Sequence, residues 1–215
     1  GSRIQAMDTG RLVLASASPR RREVLDREGY SFDIDVAGVE ELQCLGESAL
    51  HATIRLALEK ADAVVGRRHA GEVVLGADTT VVVEEMMMGK PIDRVQAVDY
   101  LLMLAGRNHL VYTGWALLAA GGGTGLAPPA CGFTRSVVRM REFSRLEAER
   151  YVAMGESDDK AGGYAVQGLG RSLVAAVAGC VDNVIGLPVA QLEAPLARRG
   201  VRPLQQRGGN GGGSR

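Results

Sequence analysis

The run Val73-Val74-Leu75-Gly76-Ala77-Asp78-Thr79-Thr80-Val81-Val82-Val83 constrains this chain more than any other segment. Val73 to Ala77 and Thr80 to Val83 read as strand, with Asp78-Thr79 between them. A carboxylate in such apolar surroundings is expensive to bury without a partner, so Asp78 must meet a cation, a metal or several hydrogen-bond donors. An acid at the end of a central strand is a common way to hold Mg²⁺ or activate water. A carboxylate that only caps a turn is the plainer alternative.

Strands and helices interleave around this run. Arg11 to Ala15 reads as a buried strand, and Ser18-Pro19 opens a helix that runs to about Glu28 and stops at Gly29. Tyr30 to Val36 alternates like a strand. Ser48 to Val65 has helical spacing, with Leu50, Ile54, Leu58 and Ala61 on one face. Val95 to Leu104 reads as helix, and Asn108 to Ala119 and Gly132 to Met140 as strands. Ser144 to Met154 is a helix opened by a Ser144/Glu147 capping box, Ser172 to Val177 a strand, and Leu187 to Arg198 a terminal helix. The pattern predicts a mixed α/β fold rather than a purely parallel sheet.

Composition narrows the function. The chain has 215 residues, 25 Lys plus Arg against 25 Asp plus Glu, 46% hydrophobic and 4% aromatic residues. That suits one domain with a real core. Balanced charge and few aromatics argue against a nucleic-acid partner, which needs many cations or a stacking platform. No stretch approaches the roughly 20 apolar residues of a membrane span, and the N-terminus lacks the apolar run of a secretory signal. Gly1-Ser2 ahead of Met7 reads as an expression remnant over residues 1–7, and Gly208 to Gly213 as part of a flexible tail over 206–215. One domain over 8–205 is expected. Gly121 to Gly125 reads as a flexible loop between strands. Cys44, Cys131 and Cys180 form no disulfide framework or zinc pattern, so buried thiols and a reducing, cytoplasmic compartment are expected. His51, His69 and His109 stand alone, as surface or hydrogen-bonded core residues; Trp115 reads as core.

Four features can carry chemistry besides Asp78. The turn Ser16-Ala17-Ser18-Pro19-Arg20-Arg21-Arg22 joins strand to helix N-terminus, where free N–H groups and the dipole suit an anion. Arginines oppose the dipole there unless an anion shares them, and their forked donors match phosphate; a capped helix with a solvated basic face is the alternative. Glu40-Glu41 follow a turn at Gly38 and matter only if the fold brings one beside Asp78. Asp158 to Gly168 holds tight glycines with a cation and an amide side chain, or is simply a glycine-rich turn. Finally, only three lysines occur, Lys60, Lys90 and Lys160, in a chain that otherwise uses arginine. Retained lysines are candidates for places needing a compact ammonium, converging on a polyphosphate, unless they merely survive on the surface. Neither a dinucleotide fingerprint nor a P-loop is present: Leu173 stands at the third glycine position after Gly168-Leu169-Gly170, and Pro91 follows Gly89-Lys90.

Five blocks, in order, resemble one family. Leu14-Ala15-Ser16-Ala17-Ser18-Pro19-Arg20-Arg21, Gly76-Ala77-Asp78-Thr79, Gly89-Lys90-Pro91, Asp159 to Gly168 and Asn183 to Pro188 are similar to the motifs of the Maf (septum formation inhibitor) nucleotide pyrophosphatases. The resemblance covers about residues 11–200. It implies a twisted central sheet flanked by helices, two lobes around a cleft (Maf/ITPase-like), often as a homodimer. It also implies hydrolysis of a nucleoside triphosphate to the monophosphate and pyrophosphate with a divalent metal, Mg or Mn.

By that resemblance Asp78 and Glu41 are the catalytic carboxylates and metal ligands. Arg20, Lys60, Lys90 and Lys160 would line the phosphate site, Ser16 and Arg21 would also bind substrate, and Thr79 and Gln167 occupy positions associated with base selectivity. Gln167 can offer an acceptor and a donor to the N3–H and O4 edge of thymine or uracil. The Asp-Lys-Ala-Gly-x-Tyr-x-x-Gln-Gly pattern is most similar to the dTTP/UTP branch, while Ile92 departs from the arginine frequent after Lys-Pro. The rivals are the 7-methyl-GTP branch of the family and, from another class, a non-enzymatic nucleic-acid-binding or division-regulating protein.

Overall fold

The computed structural model describes residues 10–121 and 127–204. The expected leader 1–7, Gly122 to Gly125 and the tail from Gly208 lie outside the described residues. Local signals set most element ends. After strand β1 (Arg11–Leu14), Ser18 Oγ accepts from Arg21 N–H and Pro19 opens helix α1 (Pro19–Arg27). Gly29, at φ 78°, then turns the chain into β2 (Phe32–Ile34). Ser48 caps α2 (Ala49–Val65) on the His51 N–H. Asp93 caps α3 (Arg94–Leu104), and the Ser144/Glu147 capping box opens α4 (Arg145–Ala153).

The central run is one strand, β3 (Glu72–Val83), with no break at Asp78-Thr79. Asp78 therefore lies in mid-strand, not at a strand end or a turn. The unbroken ladder to β5 (Asn108–Ala119) is the reason: it pairs Val73 with Ala119 through to Val82 with Leu110, and sets Asp78 opposite Gly114. The hairpin β4 (Met86–Met88), missed in the sequence, folds back on Val81 to Val83. β6 (Ala130–Met140) and β7 (Val174–Ala178) complete a seven-stranded mixed sheet ordered β2-β1-β3-β5-β6-β7, with β4 on β3. β1 runs parallel to β2 and β3; the remaining pairs are antiparallel.

This topology opens a cleft. β1 pairs with β3 only as far as Leu75, and β4 joins the same edge only at Val81. The intervening edge, residues 76–80, is left without a strand neighbour, and the core divides there. Leu75 and Ala77 pack with α1, with the short α5 (Val181–Ile185) and with α6 (Val189–Ala197), whereas Val81 and Val83 pack with α3 and α4. On the other face α2 lies against β3 and β5. A Cβ on Gly76 would collide with Ala57 of α2, and one on Gly114 with Thr53. These glycines let α2 press close enough to bring Lys60 over the open edge.

Trp115 is core, 6% exposed. The cysteines depart from expectation: Cys44 and Cys131 are exposed and Cys180 is half-buried. Cys44 sits in a polar loop, Cys131 lies on β6 before β7 reaches it, and Cys180 Sγ caps α5. All three are free thiols. No helix among the described residues is long and apolar enough to cross a membrane.

Candidate active site

A cavity of about 320 Å³ occupies the cleft beside the open edge of β3. Asp78 and Thr79 form its floor. The turn from Ser16 to Arg21, the cluster of Glu41, Lys60 and Lys90, and Asp159 with Tyr164 also line it. The fold thus brings together Ser16, Arg20, Arg21, Glu41, Lys60, Asp78, Thr79 and Lys90, eight residues scattered over the first 90 positions.

Lys60 is the hub. Its Nζ donates to Asp78 Oδ1 and to Glu41 Oε1, each at 2.8 Å. Lys90 Nζ donates to the same Glu41 Oε1 at 3.3 Å. Glu41 rather than Glu40 is the acid brought to Asp78: Glu41 shares Lys60 with it, whereas Glu40 is exposed and does not line the cavity. Burial pushes the Asp78 carboxyl above its ordinary range, only partly opposed by Lys60 and Arg21. Burial also pushes Glu41 up, but Lys60 and Lys90 together outweigh it and hold its carboxyl below the usual range. Two carboxylates on one ammonium are thereby driven apart, one toward the neutral and one toward the charged form.

The arginine turn divides its labour. Arg21 is buried and spent inside the protein: Nε donates to Gly186 O at 2.8 Å, Nη1 to Ser16 Oγ at 2.9 Å and Nη2 to Thr79 Oγ1 at 3.2 Å. Arg20 lines the cavity with a buried Nε that has no hydrogen-bond partner. Burial lowers its proton affinity, and Asp159, Tyr151, Tyr164 and Glu156 offset only part of that cost. An arginine cannot escape by deprotonating, so this cation calls for an anion. Arg22 does not line the cavity.

Two expected contacts fall elsewhere. Lys160 Nζ turns to Glu156 O and Asp159 Oδ1, and Gln167 is exposed outside the cavity. Of the three rare lysines the fold brings Lys60 and Lys90 to the cavity and not Lys160, because the turn after α4 folds its ammonium back onto the Glu156 carbonyl and the Asp159 carboxylate. Ile92 is 84% exposed and also outside. Asp159 and Tyr164, both in the glycine-rich segment 158–168, join the cavity lining without any motif role that the sequence assigns them. Gly162 and Gly163, at φ 71° and 76°, make the tight turn there.

Among the described residues no group of three or more His, Cys, Asp or Glu converges as a metal site. The donor set that is present, Asp78 with Glu41, fits Mg²⁺ or Mn²⁺ of the kind held by one or two carboxylates plus substrate phosphate oxygens and water.

Fold and site define an α/β protein with a cleft lined by four cations, Arg20, Arg21, Lys60 and Lys90, and three carboxylates, Glu41, Asp78 and Asp159. Its lineage is plain: the chain belongs to the Maf-like protein family, whose model matches residues 11–199. It is 45% identical over 196 residues to a dTTP/UTP pyrophosphatase of Myxococcus xanthus (strain DK1622), covering 91% of this chain and 95% of that one. It is 44% identical to one of Moorella thermoacetica (strain ATCC 39073 / JCM 9320), covering 89% and 96%. With one of Desulfitobacterium hafniense (strain Y51) it shares 42% identity, covering 86% and 84%.

Proposed function

We propose that this protein hydrolyses dTTP and UTP to the nucleoside monophosphate and pyrophosphate. The observation that carries the reading is the Asp78–Lys60–Glu41 bridge in the same cavity as Arg20, whose buried Nε has no hydrogen-bond partner among the described residues. The names of the relatives support the choice of substrate. Water attacks the α-phosphorus, and pyrophosphate leaves. Asp78, with its raised proton affinity, accepts the proton of that water; Glu41 stays charged. Lys60 holds the two carboxylates together. Arg20 and Lys90 neutralise the charge that grows on the departing pyrophosphate, where preformed cations in a dry site count most. Asp78 and Glu41 would hold the divalent metal, which supplies charge neutralisation at the phosphates when bound. Arg21 and Ser16 act as the scaffold of their turn, while Lys160 and Gln167 are not carried as substrate contacts.

The reading takes residues 8–205 as one catalytic domain, supported by the family match over 11–199, and the cytoplasm as its compartment, supported by three free thiols. A homodimer follows from the family resemblance alone and is checked by light scattering. Burial of Trp115 in the core withdraws the sole tryptophan from contact with a methylated purine. The test is pyrophosphate release from dTTP, UTP, CTP and 7-methyl-GTP with Mg²⁺, Mn²⁺ or EDTA. Release from dTTP and UTP, abolished by EDTA, is expected. Preference for 7-methyl-GTP, or no release with salt-dependent DNA binding instead, overturns it.

A further inference from the structure

Thr79 shares its hydroxyl with a buried chain that the proposed mechanism does not use. Thr79 Oγ1 lies 2.8 Å from Thr113 Oγ1, and Thr113 Oγ1 lies 2.9 Å from the backbone carbonyl of Asn183. Thr113 and Asn183 are both 0% exposed. Asn183 is pinned in turn, its Nδ2 donating to Val111 O at 3.1 Å and Ser136 Oγ at 2.9 Å.

Proton counting fixes the direction of this chain. A carbonyl only accepts, and Thr113 has one proton, so that proton goes to Asn183. Without it, two lone-pair oxygens would face each other in a dry interior, where an unmade hydrogen bond costs most. Thr113 then offers Thr79 only a lone pair, so Thr79 must give its own proton to Thr113. Arg21 Nη2 donates to Thr79 Oγ1 as well. One lone pair and no proton remain for the cavity that Thr79 lines.

We infer that Thr113 and Asn183 lock Thr79 as a hydrogen-bond acceptor, so that the cavity takes a nucleotide presenting a donor at that point. This rests on the nucleotide reading above. Two donors on dTTP share the chemistry: the N3–H of the base and the 3′-hydroxyl of the sugar. UTP carries both. Cytosine presents a lone pair at N3 and would be repelled. Thr113 is a positioning residue that acts through Thr79.

The experiment measures kcat/KM for pyrophosphate release from UTP, CTP, dTTP and 3′-deoxythymidine triphosphate in the full chain. Thr113→Val removes the relay while keeping shape and frees the Thr79 proton to turn into the cavity. The UTP-to-CTP ratio is expected to fall about tenfold, the worth of one such hydrogen bond, and Thr113→Ser to keep the wild-type ratio. If the dTTP-to-3′-deoxy ratio falls instead, the donor is the sugar hydroxyl and the locked acceptor stands. If neither ratio moves in a folded Thr113→Val protein, the inference is overturned. Should that variant not fold, Thr79→Val decides by the same two ratios: collapse of either supports the acceptor, and no change in both overturns it. Failure of wild type to release pyrophosphate from any nucleotide would instead sink the hydrolase reading. In that case UMP against CMP binding, and dTMP against 3′-deoxythymidine monophosphate binding, to wild type and Thr113→Val test the acceptor separately by the same two changes.

Discussion

Lys60 Nζ stands 2.8 Å from Asp78 Oδ1 and 2.8 Å from Glu41 Oε1, joining an acid in mid-strand to an acid on a loop. The lysine side chain is 12% exposed and that of Asp78 8%, so solvent screens this pair poorly. Asp78→Asn keeps size and one acceptor oxygen but cannot take a proton from water. Turnover is expected to fall by at least about a thousandfold, with cooperative unfolding retained. Glu41→Gln should also lower turnover, and should raise the Mg²⁺ concentration needed for half-maximal rate. Steady-state kinetics with circular dichroism checks both, and full activity of Asp78→Asn would remove Asp78 from the reaction.

The opposed shifts of the two acids give a pH signature. In the metal-free protein Asp78 holds its proton above the ordinary carboxylate range, and a bound divalent cation, by favouring the charged form, draws that titration down; if Asp78 acts as base, kcat/KM falls as pH drops, with an acid limb that moves to lower pH as Mg²⁺ is raised. Glu41, held low, remains charged through that fall. The corresponding stability terms have opposite signs. Asp78, raised in the folded state, loses stabilisation as pH rises through its folded value; Glu41, lowered, loses it as pH falls through its own. An acid limb that Mg²⁺ does not move would contradict the assignment of Asp78.

Arg20 separates binding from folding. The side chain is half-buried, with its Nε shielded from solvent and unpaired, so in the empty protein that atom costs stability rather than adding it. Arg20→Ala should therefore melt no lower than wild type, while kcat/KM falls by about a hundredfold or more and pyrophosphate inhibits more weakly. Calorimetry and product-inhibition assays read the two effects independently. A large loss of stability would mean that Arg20 is a structural cation like Arg21.

Much of this was legible in the residues. Caps at Ser18, Ser48 and Ser144 set helix starts to within a residue, because the hydroxyl bonds act locally. The strand 108–119 was read whole. The continuity of β3 through Asp78 was not, since an acid looks like a breaker until Lys60, 18 positions away, is known to neutralise it. Nor could spacing tell that Arg20 faces the cavity while Arg21 turns inward: the partners Ser16, Thr79 and Gly186 come from three separate segments. Thr113 carried no signal at all, being one more β-branched residue in a strand. Its role follows only from the hydrogen-bond order across β3, β5 and α5.

His109 links stability to pH away from the catalytic acids. It is 2% exposed, its Nε2 lies 2.6 Å from the Tyr164 hydroxyl, and its buried Nδ1 has no partner. Burial lowers its pKa from the usual 6.5 to about 4. Between those values the unfolded chain takes up a proton that the folded protein refuses, so stability declines as pH falls from 6.5 and levels off below 4. At about 1.4 kcal/mol per unit the whole window is worth at most about 3.5 kcal/mol. His109→Gln keeps a polar partner for Tyr164 and removes the titration. Urea unfolding from pH 7 to pH 4 should show the variant declining less steeply than wild type, and parallel curves would mean that His109 protonates freely in the folded state. Because Tyr164 also lines the substrate cavity, the same variant reports whether this pair supports the site: KM should rise if the tyrosine ring shifts, with the acid limb of the rate profile, set by Asp78, left in place.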